Sequence, residues 1–110
     1  MATIVWSRPD EARARLQAEL DRILEVLAAT DGVEEVWVFG SLVEGQPGAT
    51  SDLDLLVVRR TDEPVPQRGV TLARMLAPRA AVDLFVYTPD EVAASGRFVA
   101  GVRARGRRVL

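Results

Sequence analysis

Three acids and a Gly-Ser pair carry the chemistry open to this sequence. Phe39-Gly40-Ser41 is followed, after ten further residues, by Asp52-Leu53-Asp54, and a third acid stands within Val82-Asp83-Leu84-Phe85-Val86. Alternate side chains of a strand share one side, so Asp52 and Asp54 converge. Like charges a few ångströms apart raise each other's pKa, so the pair implies a bound metal or a shared proton. Asp83 interrupts a run otherwise fit for burial, where a purely structural strand has little reason to carry a charge. If the two strands are neighbours, three carboxylates meet at one sheet edge. That is the ligand set for two Mg²⁺ about 4 Å apart, suited to in-line displacement at phosphorus. Gly40 lets the backbone approach a ligand, and a helical turn after it would offer free N–H groups to phosphate.

The composition removes competing chemistries. The chain has no histidine and no cysteine, and all 14 of its basic residues are arginine. His-based acid/base catalysis, His or Cys zinc sites, disulfides and a phosphate-gripping lysine are therefore excluded. Oxygen ligands remain, and they favour hard cations such as Mg²⁺. A formal net charge of −2 provides no basic field for DNA binding. No signal peptide or long apolar run precedes the first charged helix, so a cytoplasmic protein without membrane contact is expected.

The elements that must position these residues follow from patterning. The length of 110 residues fits a single domain, 1–110. Ser7-Arg8-Pro9-Asp10 reads as a helix start, and Leu16, Leu20, Ile23, Leu24 and Leu27 form one apolar stripe that runs to about Ala29. Val33 to Phe39 and Leu53 to Val58 read as buried strands either side of a Gly/Pro/Ser/Thr-rich loop. Residues 59–69, with two prolines and a glycine, read as a surface connection. A short helix over Val70 to Leu76 follows, terminated by Pro78. Ala81 to Tyr87 gives a third strand, and Thr88-Pro89-Asp90-Glu91 is a capping box that opens a helix ending near Gly96. A helical turn or two from Phe98 leads into an edge strand at Arg107 to Leu110. The fold class is α/β (α+β), a mixed sheet with helices packed on it.

Each feature also has a plainer reading. Ser41-Leu42-Val43-Glu44 is itself a capping box, Asp52 and Asp54 are common turn residues, and Asp83 has a structural counter-ion within reach in Arg79. The arginines at 97, 103, 105, 107 and 108 read as a solvated face, with phosphate or partner contact as the second reading. Trp37 and Phe85 read as core. For the acids, agreement among Gly40-Ser41, Asp52/Asp54 and Asp83 outweighs the turn explanation.

The constellation resembles the nucleotidyltransferase superfamily, and in particular the minimal nucleotidyltransferases encoded beside a HEPN-domain partner. Gly40, Ser41, Asp52, Asp54 and Asp83 match its motif in order and spacing, and the resemblance covers roughly residues 10–110. It implies that Asp52, Asp54 and Asp83 are the catalytic metal ligands, with Asp83 also helping to deprotonate the acceptor. It further implies that Gly40 and Ser41 hold the β and γ phosphates of ATP or another nucleoside triphosphate. The reaction implied is transfer of a nucleoside monophosphate, AMP from ATP, to a hydroxyl. So short a chain is expected to find its acceptor on a second protein, a HEPN-type toxin that modification silences. The chain departs from the family after Ser41, where members commonly carry arginine at the position of Leu42 and a basic or neutral residue at that of Glu44. Those departures support an alternative, an antitoxin that neutralises its partner by contact alone. An aminoglycoside nucleotidyltransferase is a weaker third reading. Exposed sheet edges leave a homo-oligomer open.

Overall fold

The computed structural model of the chain describes residues 9–40, 53–94 and 96–110. Helix α1 spans Pro9–Ala28 and buries Leu20, Ile23 and Leu27, the inward edge of the apolar stripe. Ser7, read as its cap, lies outside the described residues. The helix unwinds at Thr30, whose hydroxyl donates to the Val26 carbonyl at 2.7 Å. The chain then enters strand β1, Val33–Phe39, and after the undescribed stretch returns as β2, Leu53–Arg59.

These two strands are antiparallel, with Val36 opposite Val57, Val38 opposite Leu55 and Phe39 opposite Asp54. Strand β3, Val82–Tyr87, lies parallel to β2 on its other side, and β4, Arg107–Arg108, lies antiparallel to β1. The sheet order is β3-β2-β1-β4, a mixed sheet as the patterning predicts. Parallel neighbours need a long crossover, and helix α2, Val65–Leu76, occupies it.

Alternation along β1 and β2 divides the interior in two. Val36, Val38, Leu53, Leu55 and Val57 face α1 and α2, where they meet Leu20, Ile23, Leu27, Leu72 and Leu76. Leu56 faces the opposite way. It packs with Val99 and Val102 of helix α4, Arg97–Arg105, while Trp37, Phe39, Tyr87 and Phe98 surround this second cluster. Each fully buried Leu or Val contributes about 1.5–3 kcal/mol, so both faces hold the sheet in register. Helix α3, Pro89–Ala94, links β3 to α4.

Several sequence expectations change, among them the edge strand, which spans Arg107–Arg108 rather than running to Leu110. Helix α2 begins five residues before Val70, because Pro64 serves as its N-cap and Pro66 sits in the first turn, where the missing N–H has no intrahelical partner to lose. Helix α4 is longer than a turn or two: Val99 and Val102, three apart, bury against Leu56 and sustain nine helical residues. Phe85 is 36% exposed rather than core, since β3 is an edge strand whose outer face is only partly covered. Trp37 is half-buried, its indole N–H donating to Glu35 at 2.9 Å. The Thr88 capping box forms as read: the Thr88 amide donates to Glu91 Oε1 at 2.9 Å and the Glu91 amide to Thr88 Oγ1 at 3.3 Å.

Candidate active site

The antiparallel pairing of β1 with β2 and the parallel pairing of β2 with β3 bring three strand ends together: the end of β1 and the starts of β2 and β3. Leu53, the first residue of β2, donates its amide to the Ala81 carbonyl at 3.1 Å, which fixes the register of the two parallel strands at this end. One residue on, Asp54 and Asp83 are direct partners in the ladder. They share one face, one strand spacing apart, about 4.8 Å. Asp54 is half-buried and Asp83 exposed.

Gly40 closes the third side. Its φ of +77° is left-handed, a region open to glycine and strained for other residues. A β-carbon there would meet Asp54 Oδ2 at 2.2 Å, so the Asp54 carboxylate lies directly over the Gly40 backbone. Of the residues singled out in the sequence, Gly40, Asp54 and Asp83 are therefore brought together. Ser41 and Asp52 lie outside the described residues, so among those described two carboxylates meet here rather than three. The alternative reading of Asp83, a structural acid paired with Arg79, is not found: Asp83 has no ion-pair partner among the described residues, and the Arg79 amide instead donates to Glu19 at 2.6 Å.

Two oxygen-donor groups side by side on one strand face fit a hard divalent cation. Asp54 and Asp83 are the residues that would hold it.

Beside the acids the same sheet face carries aromatic rings. Phe39, the ladder partner of Asp54, lies 5.7 Å from Phe85 and 5.7 Å from Phe98, centroid to centroid. Phe98 also meets Phe85 at 5.2 Å and stacks on Tyr87 at 5.8 Å. These rings wall one side of the acids with apolar surface, which strengthens electrostatic interactions nearby. Between Phe39, Gly40 and helix α4 opens a cleft of about 250 Å³, whose lining includes Arg97 and Arg105. Both arginines are exposed, as their reading as a solvated face expects, and the packing of α4 sets them beside this cleft, where the second reading, phosphate contact, stays open.

Two ion pairs behind the sheet hold the site's supports. Arg22 of α1 pairs with Glu19 at 2.8 Å and donates to the Leu76 carbonyl at 3.0 Å, while Glu19 also accepts the Arg79 amide. Hydrogen bonding from Arg22 is the main reason the Glu19 carboxyl titrates far down, to about 2, against the opposing effect of burial. This clasp fixes the end of α2 and the chain entering β3. At the other end of β3, buried Arg68 pairs with Glu91 at 2.6 Å, and its guanidinium, with the Thr88 amide, holds the Glu91 carboxyl below its usual range.

Comparison with known proteins gives the family of the fold. The family model for the nucleotidyltransferase domain matches residues 20–77, just over half of the chain. The chain belongs to the nucleotidyltransferase domain family. A crystal structure of a Sulfolobus solfataricus protein, provisionally assigned as a nucleotidyltransferase, is similar over 100% of this chain and 90% of its own, with a TM-score of 0.63 and 26% sequence identity. No curated protein matches the chain. Membership gives the protein a nucleotidyl-transfer function in general terms and places it among transferases. The matched span of this nucleotidyltransferase domain contains Gly40 and Asp54 and ends before β3. Asp83 lies beyond the matched span and meets Asp54 through the β2–β3 register. No helix among the described residues is long and apolar enough to cross a membrane.

Proposed function

We propose that this domain is a Mg²⁺-dependent enzyme that transfers AMP from ATP to a hydroxyl group on a partner protein. The observation that carries the reading is the pairing of Asp54 with Asp83 on one face, over the Gly40 backbone. Asp52, two residues before Asp54, is the third acid of the set and Ser41 the second phosphate contact, both on the strength of the sequence motif.

In this reading Gly40 keeps the backbone low, so that the triphosphate can lie close to it. Asp54 and Asp83 are the residues that would hold Mg²⁺, which when bound would supply neutralisation of the charge that develops at the phosphate. Asp83, the more exposed of the two, takes the proton of the acceptor hydroxyl. The acceptor oxygen forms a bond to the α-phosphorus as the bond from that phosphorus to the bridging oxygen of pyrophosphate breaks. The apolar ring wall excludes water that would compete as acceptor.

The partner is proposed to be a HEPN-type toxin in the cytoplasm, whose side-chain hydroxyl receives the AMP and which is silenced by it. Support for this partner is the resemblance to minimal nucleotidyltransferases encoded beside such proteins. Incubation with labelled ATP, Mg²⁺ and the product of the neighbouring reading frame tests the proposal. Label should pass to the partner with wild type and not with Asp54→Asn. Suppression of the partner without any label transfer would instead identify an antitoxin acting by contact.

A further inference from the structure

The cleft beside Gly40 carries a charge distribution that the two carboxylates do not explain. Arg97, Gly101 and Arg105 stand four residues apart along α4 and so form one ridge of the helix. Helical side chains lean toward the N-terminus, and Arg105 does so: its Nη2 lies 3.2 Å from where a β-carbon on Gly101 would be. The bare position 101 thus gives the Arg105 guanidinium room to fold back along the helix toward Arg97. Among the described residues neither arginine has a carboxylate partner and no acidic residue lines the cleft. Arg103, on the same helix, differs: it faces Glu35 at 3.6 Å.

Gly40 belongs both to this cleft and to the carboxylate site, because Asp54 lies over it. Acids that suit a cation therefore adjoin Gly40 together with two guanidiniums that have no carboxylate partner among the described residues. An anion carrying several phosphates, bound with its metal at the acids, would meet the guanidiniums as it crossed the glycine. Guanidinium forks match phosphate oxygens in geometry and stay charged at any physiological pH. The volume, about 250 Å³, lies below the roughly 300 Å³ at which pockets begin to enclose a whole drug-sized molecule, so the cleft suits a phosphate tail rather than an entire nucleotide.

We propose that Arg97 and Arg105 bind the polyphosphate tail of the nucleoside triphosphate, and with it the departing pyrophosphate. This rests on the nucleotidyl-transfer reading above and adds the groups that select a triphosphate over a monophosphate.

Calorimetric titration of the whole chain with ATP, AMP and inorganic tripolyphosphate, each with Mg²⁺, tests it. The proteins compared are wild type, Arg97→Gln plus Arg105→Gln, the matching Lys pair, and Arg103→Gln as a charge-matched control. Loss of two charge-assisted contacts should weaken ATP and tripolyphosphate binding by roughly tenfold to hundredfold and leave AMP binding unchanged. The Lys pair should recover part of the loss, and Arg103→Gln should match wild type. Equal ATP and tripolyphosphate binding by wild type and the Gln pair overturns the proposal while leaving the transfer reading intact. Arginine-dependent binding of tripolyphosphate without any binding of ATP supports the phosphate cleft and removes the transfer reading. Absence of binding by wild type to both ligands overturns the two together.

Discussion

A β-carbon on Gly40 would stand 2.2 Å from Asp54 Oδ2, so the Asp54 carboxylate can lie where it does because residue 40 is bare. Gly40→Ala combines this collision with a backbone strained at φ +77°, and should destabilise the fold by about 1–3 kcal/mol. The carboxylate part of that penalty is separable. In Asp54→Ala the nearest remaining atom, the Asp54 β-carbon, lies 3.5 Å away, an ordinary contact. A double-mutant cycle measured by urea denaturation should therefore show a favourable coupling of about 0.5 kcal/mol or more. Simple additivity would mean that the carboxylate swings aside freely and that its position over Gly40 is not fixed.

The Asp54–Asp83 pair should behave oppositely with and without metal. Like charges directly opposite in a sheet are destabilising, so without Mg²⁺ the Asp83→Asn variant should be as stable as wild type or slightly more so. With Mg²⁺, wild type should gain thermal stability by mass action and the variants should not, while nucleotidyl transfer falls about hundredfold or more. Equal Mg²⁺ stabilisation of wild type, Asp54→Asn and Asp83→Asn would rule these acids out as its ligands.

What the sequence discloses about this site depends on how local the cause is. Asp83 stands out within Val82–Tyr87 because one charge breaks an apolar strand, and the strand bounds of β1 match the pattern because β-branched and aromatic residues run to a glycine. Which strands become neighbours is not local. The pairing of Asp54 with Asp83 depends on a crossover through α2, whose start hides behind Pro64 and Pro66, residues that read as breakers until the first helical turn is seen to need no N–H from them. Arg97 and Arg105 are the furthest from view. Nothing in Arg97–Arg105 distinguishes a cleft wall from a solvated face until Val99 and Val102 seat the helix on Leu56 and turn that ridge toward Gly40. Phe85 fails for the same reason: its composition fits a core strand, and only the sheet order makes β3 an edge.

The Glu19 clasp predicts an acid limb in stability. Its carboxyl titrates at about 2 when folded against 4.5 in the ordinary state, chiefly through the Arg22 hydrogen bond, so the ionised form is favoured by folding. The stabilisation is therefore complete above about pH 5 and is lost as pH falls toward 2. Glu19→Gln should remove that slope and, at neutral pH, lower stability by an amount on the order of 1–3 kcal/mol. Urea denaturation across pH 2–7 (about half-unit steps) would show it; an unchanged acid limb in the variant would place the titrating group elsewhere.

Phe98 ties the helix that carries the arginines to the strands that carry the acids, because its ring touches Phe39, Phe85 and Tyr87 at once. Aromatic pairs contribute about 0.5–1.5 kcal/mol each beyond the area they bury, and the ring is half-buried rather than enclosed. Phe98→Ala should thus destabilise by about 2–3 kcal/mol, toward the low end for loss of a phenyl ring, and Phe98→Leu by roughly half as much. The functional effect should exceed the structural one. Phe39 is the ladder partner of Asp54, and Arg97 adjoins Phe98, so loosening the ring moves both ends of the site relative to each other. At temperatures where the variant remains folded, the KM for ATP should rise several-fold while far-ultraviolet circular dichroism stays unchanged. A Phe98→Ala protein with wild-type KM would show that α4 keeps its place on the sheet through Val99 and Val102 alone.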